Sequence, residues 1–349
     1  MADLFDNFSA LFTTDKVFLS GKAFPLGQLT TDILNLEDAV LIEIGRRIDD
    51  FMTAVAVLFQ KKTDSAAHSA QEKLNAVWGV VFTLPVYRDL RMDMALSYEL
   101  FLSLFSDKDQ WAEALDVTSD GHIMLEKFLN GLEYFTESLR NFRGQITGML
   151  ELYFEPLTQR NADAYAAAYA DYFSGIDAAG RGLFGLPSFE QSFPAEIQFT
   201  PMVQAEENKQ RYVLAEKTAF SYLTHFLYTD FYRALMAGNA PRRCHNCGRY
   251  FLLTAGYNTC YCNNIAPGET ERTCRKVGAH RKEARKRSGA APERQEYNKA
   301  ANRLKQRKNR GKISTGEWNT AMAKAQELLE QAEQGKLTEE ELRTQLKGL

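Results

Sequence analysis

The five cysteines of the chain all lie in one short stretch, which begins CHNCGRYFLLTAGYNTCYCNN at position 244 and continues to TCRK. They are Cys244, Cys247, Cys260, Cys262 and Cys274. Cys244 and Cys247 form a C-x2-C pair followed by Gly248. This spacing lets one tight turn direct two thiolates at the same ion, and a glycine can adopt the positive φ that such a turn often needs. An odd number of clustered cysteines is typical of metal binding and not of a disulfide framework.

A closed tetrahedral zinc site takes four ligands, and this stretch offers five thiols together with His245 and His280. Our choice of metal ligands gives the spacing C-x2-C-x14-C-x11-C and consists of Cys244, Cys247, Cys262 and Cys274. Strand alternation places Cys260 on the same side as Cys262, so an exchange of these two ligands remains open. We expect His245 and His280 to face solvent.

The residues between the cysteines indicate a hairpin. We expect Tyr250–Leu252 on one arm, a turn at Ala255–Asn258, and Cys260–Cys262 on the other arm. The residues after Cys274 have helical composition, so we expect this last ligand at or just before the start of a helix.

Two other kinds of site use clustered cysteines. A redox C-x-x-C motif favours a βαβ context, which the sequence does not indicate, and it would leave the other thiols unexplained. An iron–sulfur cluster also takes four cysteines, and the spacing does not exclude it. Zinc is the favoured metal because four thiolates form a closed tetrahedral site. Such a site leaves no position for water or substrate, so we expect a structural Zn²⁺ that folds a segment too small to fold alone.

Charge is unevenly distributed, although the formal net charge is only −3. Residues 242–312 contain 19 Lys and Arg against 5 Asp and Glu, whereas residues 313–349 contain 4 against 7. The remainder of the chain is therefore acidic. A basic segment attracts a polyanion, so this one indicates a nucleic-acid partner, either DNA or RNA. Mutual neutralisation of the basic segment and the acidic body is the alternative.

The cysteine segment resembles a known class of zinc module. CHNCGRYF, followed by YC and by a cysteine that enters a basic helix, is similar to treble-clef zinc fingers, most closely to the CGNR zinc fingers of bacterial regulators. The resemblance covers residues 218–290, and this chain has CRKV where those fingers have Cys-Gly-Asn-Arg. A similar C-terminal C-x-N-C-G-x-Y-F module is found in bacterial proteins of unknown function that are often linked with mobile elements. The resemblance implies a nucleic-acid-binding module.

Two basic stripes follow the last cysteine, and we predict that both contact nucleic-acid phosphates. The first has pairs one helical turn apart and consists of Arg281, Lys282, Arg285 and Lys286. The second has the spacing i, i+4, i+8, i+11 and consists of Lys299, Arg303, Arg307 and Arg310. Compensation of a negatively charged four-thiolate site is the alternative for the cations nearest the cysteines.

The acidic body has helical periodicity over most of its length. Its clearest pattern predicts one continuous helix whose apolar residues, spaced three and four apart, are Leu125, Phe128, Leu132, Phe135, Leu139, Phe142, Ile146, Met149 and Tyr153. We expect this helix inside an intramolecular bundle, and a dimeric coiled coil is the alternative. Further helices are predicted in 33–60, 94–105, 161–173 and 217–238, and one short strand at Glu196–Thr200. In the tail, Ser314 with Glu317 and Thr338 with Glu341 have capping-box spacing, which marks two helix starts.

These patterns predict a mostly α protein with three parts: an acidic helical domain at 1–238, a treble-clef-like zinc module at 239–290, and a basic helix with a helical tail at 291–349. We find no Gly-rich phosphate loop, nucleophile elbow or H-E-x-x-H motif and predict a non-enzymatic nucleic-acid-binding protein, regulatory or tied to a mobile element. The alternative is a zinc-stabilised protein-interaction adaptor, in which zinc rigidifies a docking surface and the basic helices engage an acidic protein face. Separately, the helical domain is a candidate site for a protein partner. The acidic N-terminus and the lack of a long apolar segment predict a cytoplasmic chain with no membrane partner.

Overall fold

The computed structural model describes residues 8–178, 196–206, 209–220, 222–288 and 291–349. The helices are α1 (Gln28–Leu34), α2 (Asp38–Lys61), α3 (Asp64–Val81), α4 (Tyr87–Ser106), α5 (Lys108–Ala114), α6 (Asp120–Glu133), α7 (Phe135–Met149), α8 (Ala162–Ala178), α9 (Leu223–Met236), α10 (Cys274–Ser288), α11 (Pro292–Asn309), α12 (Thr315–Glu333) and α13 (Glu339–Lys347). The strands are β1 (Phe8–Phe12), β2 (Lys16–Leu19), β3 (Lys22–Pro25), β4 (Glu196–Glu206), β5 (Lys209–Phe220), β6 (Ala240–Arg243) and β7 (Tyr250–Leu253). The predicted mostly α class is confirmed.

The chain divides into two compact units, Met1–Cys262 and Asn263–Leu349. The boundaries predicted from the sequence lie instead after residues 238 and 290. The strands β6 and β7 belong to the first unit, and β6 is buried at Ala240, Pro241 and Arg242. The three-part division therefore stays a prediction, and the units are described below one at a time.

The longest predicted helix of the first unit is interrupted. α6 ends at Glu133, Tyr134 has φ −89° and ψ 0°, and α7 starts at Phe135. A π-helical turn, Leu150–Phe154, extends α7. Gly131 in the last turn of α6 lowers helix propensity there, which favours the break. The predicted apolar residues from Leu125 to Met149 are all buried in the core of this unit, which supports the intramolecular bundle over a dimer seam.

An antiparallel sheet in the first unit was largely missed by the sequence analysis. Its strand order is β3-β2-β1-β5-β4. The predicted strand at Glu196–Thr200 is present and continues to Glu206. The predicted helix at 217–238 is wrong at its start, because Lys217–Phe220 belong to β5 and only Leu223–Met236 are helical. Phe220 is buried against Phe8 and Phe226, and this aromatic packing favours the strand over the helix.

The second unit contains α10 to α13. The last three of these helices pack together around a small apolar core formed by Ala300, Ala325, Leu328, Ala332, Leu342 and Leu346. Both predicted capping boxes are present: Ser314 and Thr338 accept hydrogen bonds from the backbone N–H of Glu317 and Glu341, whose carboxylates bond back to the cap residues. Among the described residues of either unit, no helix is long and apolar enough to cross a membrane.

Candidate metal centre

The first pair of cysteines lies at the tip of the β6–β7 hairpin. Arg243 pairs with Tyr250 in the antiparallel ladder, and the Cys244 N–H donates to the carbonyl of Arg249 over 2.9 Å. The turn closes when the Gly248 N–H donates to the Cys244 carbonyl over 2.9 Å, with Gly248 at φ 76°. This φ confirms the positive value predicted for Gly248. Glycine suits the position because it adopts such a φ without strain.

The predicted second arm of this hairpin is wrong. β7 pairs with β6, the strand before the cysteine pair, and not with Cys260–Cys262. The buried residues Ala240 and Leu253 face each other at the base of the ladder, so packing onto the core selects this pairing. Residues 254–262 instead form a loop that returns to the hairpin tip, where the His245 N–H donates to the Cys260 carbonyl over 2.9 Å.

That returning loop places Cys262 beside the first pair. The Cys262 N–H donates to the Sγ of Cys244 over 3.4 Å, and the Sγ atoms of Cys247 and Cys262 are 3.7 Å apart. Ligands about 2.3 Å from a tetrahedral zinc ion would be separated by about 3.8 Å, so the observed spacing fits such an ion. Cys244 and Cys262 are both buried.

Cys274 is the first residue of α10, as predicted, and it is fully buried. A short antiparallel bridge between Ile265 and Thr273 leads into it. Within this bridge the Cys274 N–H donates to the carbonyl of Asn264 over 2.8 Å, and the Ala266 N–H donates to that of Arg272 over 2.9 Å. This local pairing therefore fixes the position of the Cys274 backbone at the start of α10.

The sulfur atoms of Cys244, Cys247, Cys262 and Cys274 all lie within 4.8 Å of one another. These are the four cysteines selected from the sequence, and together they could hold a metal ion. Cys260 is not a member of the cluster, so this arrangement favours Cys262 in the exchange that the sequence left open. Among the described residues, no histidine belongs to the four-cysteine cluster. His245 Nε2 lies 2.6 Å from Glu155 Oε1, and His280 is exposed.

The surroundings of Cys244 affect its ionisation. Burial alone would raise the pKa of its thiol, but the backbone N–H groups of Cys262, Cys247 and Asn246 outweigh burial and lower the pKa to about 7. The thiolate is the form of cysteine that binds metals. The donor set is therefore four soft sulfur ligands, one of which ionises near neutral pH, and this set suits zinc or another thiophilic metal.

The first predicted basic stripe lies along α10. Arg281 is exposed. Lys282, Arg285 and Lys286 lie within the helix, and their side chains are outside the described part of the structure. No side-chain geometry therefore bears on the predicted role of those three residues.

The four residues of the second predicted stripe have different surroundings in the second unit. Arg303 donates to the carbonyl of Leu346, and Arg307 donates to that of Leu349 over 2.6 Å. Lys299 forms an ion pair with Glu296 at 2.7 Å, and Arg310 is exposed at the end of α11. Two of the four predicted phosphate contacts thus anchor the tail in this structure.

Sequence reasoning overlooked the polar residues on the outward face of α11. Asn298, Asn302, Gln306 and Asn309 repeat at i, i+4, i+8 and i+11 and are exposed. This is the same spacing as the basic stripe, shifted by one residue, so periodicity could have identified it. Arg160 and Arg242, which line a pocket beside the hairpin, gave no local signal because they are far apart in the sequence.

Comparison with known proteins identifies one matching family, whose function is unknown. Residues 190–348, which include β4, the cysteine cluster and the helical tail, match a family of unknown function (DUF6076). The matched family is not one of the treble-clef or CGNR zinc fingers expected from the sequence. No curated protein matches the chain, and no solved structure does.

Proposed function

We propose that the chain is a non-enzymatic, zinc-binding protein that binds nucleic acid, in a regulatory or mobile-element context, and that the outward face of α11 makes the contact. The observation that carries this proposal is the composition of that face. Asn298, Asn302, Gln306 and Asn309 lie within one side of the helix, because positions three and four apart share a face. None of these four side chains bonds to another described residue.

Cations flank this amide face. Lys299 and Arg310 lie on one side of it and Lys305 on the other, and all three are exposed. The acidic side chain of Glu296 points away, since it is largely buried and paired with Lys299 and Arg343. Asn and Gln can bind adenine through its N6 and N7 atoms, while Lys and Arg contact phosphates. This pattern supports base contacts from the centre of the face and phosphate contacts from its edges.

The proposal is tested by salt-titrated binding of metal-quantified, full-length protein to duplex DNA, single-stranded DNA and structured RNA. The double variant Lys305→Glu/Arg310→Glu removes two cations from the flanks of the face. We expect it to weaken binding to every sequence and to reduce the slope of log affinity against log salt, by about 0.9 per lost phosphate contact on duplex DNA. The control is Lys324→Glu/Lys336→Glu, which makes the same charge change at two exposed lysines of the acidic tail.

A second double variant separates base contacts from charge. Asn302→Ala/Gln306→Ala leaves every charge in place, and we expect it to reduce discrimination between sequences by about 1–3 kcal/mol per lost bidentate contact. Absence of binding to all three nucleic acids by the zinc-loaded protein would overturn the proposed function.

A protein-interaction adaptor is the second candidate, and one feature of the first unit favours it. The β4–β5 hairpin exposes an apolar face that includes Ile197, Phe199, Val203, Tyr212 and Leu214, and Val203 pairs directly with Tyr212. Contiguous exposed apolar surface is typical of interaction sites. If this face binds a second copy of the chain, the solution mass should be that of a dimer and should fall to the monomer in Phe199→Ser/Leu214→Ser; a monomeric wild-type chain would contradict self-association.

A further inference from the structure

The first unit contains a pocket of about 140 Å³ beside the cysteine-bearing hairpin. The π-helical turn Leu150–Phe154 and the strand β6 contribute to its walls. The ionisable side chains that line it are Glu151, Glu155, Arg160, Arg242, Arg243, His245 and Tyr250. A cavity of about 10–15 Å³ holds one water molecule, so this pocket has room for a group of several atoms.

The charges around this pocket are not balanced. Arg243 pairs with Glu151 at 2.9 Å, which leaves Glu155 as the only other carboxylate that the described residues contribute to the lining. Arg160 and Arg242 both approach Glu155, at 3.8 Å and 3.7 Å, and neither distance is that of a hydrogen bond between the charged groups. One carboxylate therefore faces two guanidinium groups.

Both of these arginines are more than nine-tenths buried. The Nε atom of each is buried and has no hydrogen-bond partner among the described residues. Burial lowers the pKa of Arg160, and the positive charge of Arg242 lowers it further, as expected for two cations held near each other away from water. Buried charge without sufficient counter-charge is costly, so an additional negative group would stabilise the pair.

Neighbouring contacts hold the two guanidinium groups in place. Arg160 Nη2 donates to the backbone carbonyl of Glu155 over 2.9 Å, and Arg242 Nη1 donates to the carbonyl of Thr259 over 2.9 Å and to Asn258 Oδ1 over 3.2 Å. Uncharged acceptors thus fix the orientation of both side chains but do not neutralise them. Preorganised arginines are well suited to phosphate, which they can bind through two hydrogen bonds each.

We infer that this pocket binds one oxyanion, either free phosphate or the terminal phosphate of a phosphate monoester, between Arg160 and Arg242. The site is built from residues of the first unit alone and does not depend on the proposed nucleic-acid function. Glu155 competes with the anion for the same two guanidinium groups, and its removal should therefore strengthen binding.

The test is isothermal titration calorimetry of the full-length, metal-loaded chain with inorganic phosphate at constant ionic strength, with chloride as the reference anion. We expect saturable binding of one phosphate. Arg160→Gln and Arg242→Gln should each weaken it about tenfold or more, the loss expected when one hydrogen bond to a charged group is removed. Arg143→Gln is the control, because it removes another largely buried arginine, paired with Asp38, that does not line the pocket.

Glu155→Gln keeps the inference testable if an arginine variant does not fold, because its predicted effect has the opposite sign. This variant should bind phosphate more tightly than the wild-type chain. Absence of saturable phosphate binding in both the wild type and Glu155→Gln would overturn the inference, and so would unchanged affinity in a folded Arg160→Gln variant.

A parallel titration distinguishes the two sources of phosphate. A nucleoside 5′-monophosphate that binds more tightly than inorganic phosphate would assign the pocket to a nucleotide end, whereas equal or weaker binding would assign it to the free anion. Either result retains the oxyanion site. The nucleic-acid-binding assay with Lys305→Glu/Arg310→Glu tests the proposed function independently, so either proposal can fail without the other.

Discussion

The two segments that carry the clustered cysteines differ in how much other structure supports them. The β6–β7 hairpin, with Cys244 and Cys247, packs through Ala240 and Leu253 and is joined to the helical core by Asn35. The segment 263–273, which precedes Cys274, has Ala266 as its only buried residue. A metal ion bound by the four cysteines would therefore be one stabilising contact among many for the hairpin, but the main one for the segment before α10.

The largest effect should follow loss of the last ligand. Cys274→Ser should abolish stoichiometric zinc binding and unfold residues 263–288, because a structural zinc site contributes on the order of 10 kcal/mol and this segment has little else to stabilise it. Metal analysis together with hydrogen exchange measures both effects. Cys260→Ser is the matched control, and loss of zinc in that variant would instead show that Cys260 is a ligand.

Asp230 should have the next largest effect, because it joins α9 to the start of α1 within the first unit. Its fully buried carboxylate accepts hydrogen bonds from the backbone N–H groups of Gly27 and Thr30 and from the Thr30 hydroxyl. Asp230→Ala leaves the two backbone N–H groups unpaired, whereas the Thr30 hydroxyl keeps its hydrogen bond to the carbonyl of Leu227. We therefore expect the free energy of unfolding to fall by about 3 kcal/mol. Denaturant titration of the first unit measures the loss, and an unchanged midpoint would contradict this role.

The same carboxylate predicts a pH dependence. Burial raises the pKa of Asp230 from 3.8 to about 6, against the opposing effect of its hydrogen bonds to Gly27 and Thr30. The folded chain therefore binds the proton more tightly than the unfolded chain between about pH 4 and 6, and the contribution of Asp230 to stability decreases as the pH rises through that range. The difference in unfolding free energy between the wild type and Asp230→Ala should accordingly be larger at pH 4 than at pH 7. A difference that grows with pH would show that the pKa is lowered instead.

A smaller effect is expected at the link between the core and the hairpin. Asn35 accepts a hydrogen bond from the Tyr250 N–H and donates one to the Tyr250 carbonyl, each over 2.8 Å. Asn35→Ala should destabilise the first unit by about 2 kcal/mol, at about 1 kcal/mol for each lost bond. Zinc stoichiometry should not change, since the hairpin retains its other contacts. Loss of metal in this variant would contradict the independence of the hairpin from the ion.

The smallest effects are expected at the capping boxes of the second unit. Ser314→Ala and Thr338→Ala should each lower the stability of the tail helices by about 1 kcal/mol. Thermal unfolding followed by circular dichroism would detect the change, with Ser314→Asp as a variant that preserves a capping side chain. Equal destabilisation by Ser314→Ala and Ser314→Asp would exclude capping as the cause.

Local chemistry made part of this structure predictable. The ligand spacing, the helix start at Cys274, the positive φ of Gly248 and both capping boxes depend on residues close in sequence. The pairing that joins the two halves of the sheet could not be predicted because it is long-range: Phe8 pairs with Phe220, and neither β1 nor β5 indicates by its own sequence which partner it will have. Arg303 likewise could not be assigned from α11 alone, because its acceptor at Leu346 comes from another helix.

The most direct test of the metal centre compares hydrogen exchange of the full-length chain before and after chelation, with the zinc content measured first. We predict one zinc ion per chain, rapid exchange after chelation at the amides of Ala266 and Cys274, and unchanged protection in β6 and β7. Absence of bound metal, or protection at Ala266 and Cys274 that survives chelation, would contradict the claim that a metal ion held by the four cysteines stabilises this segment.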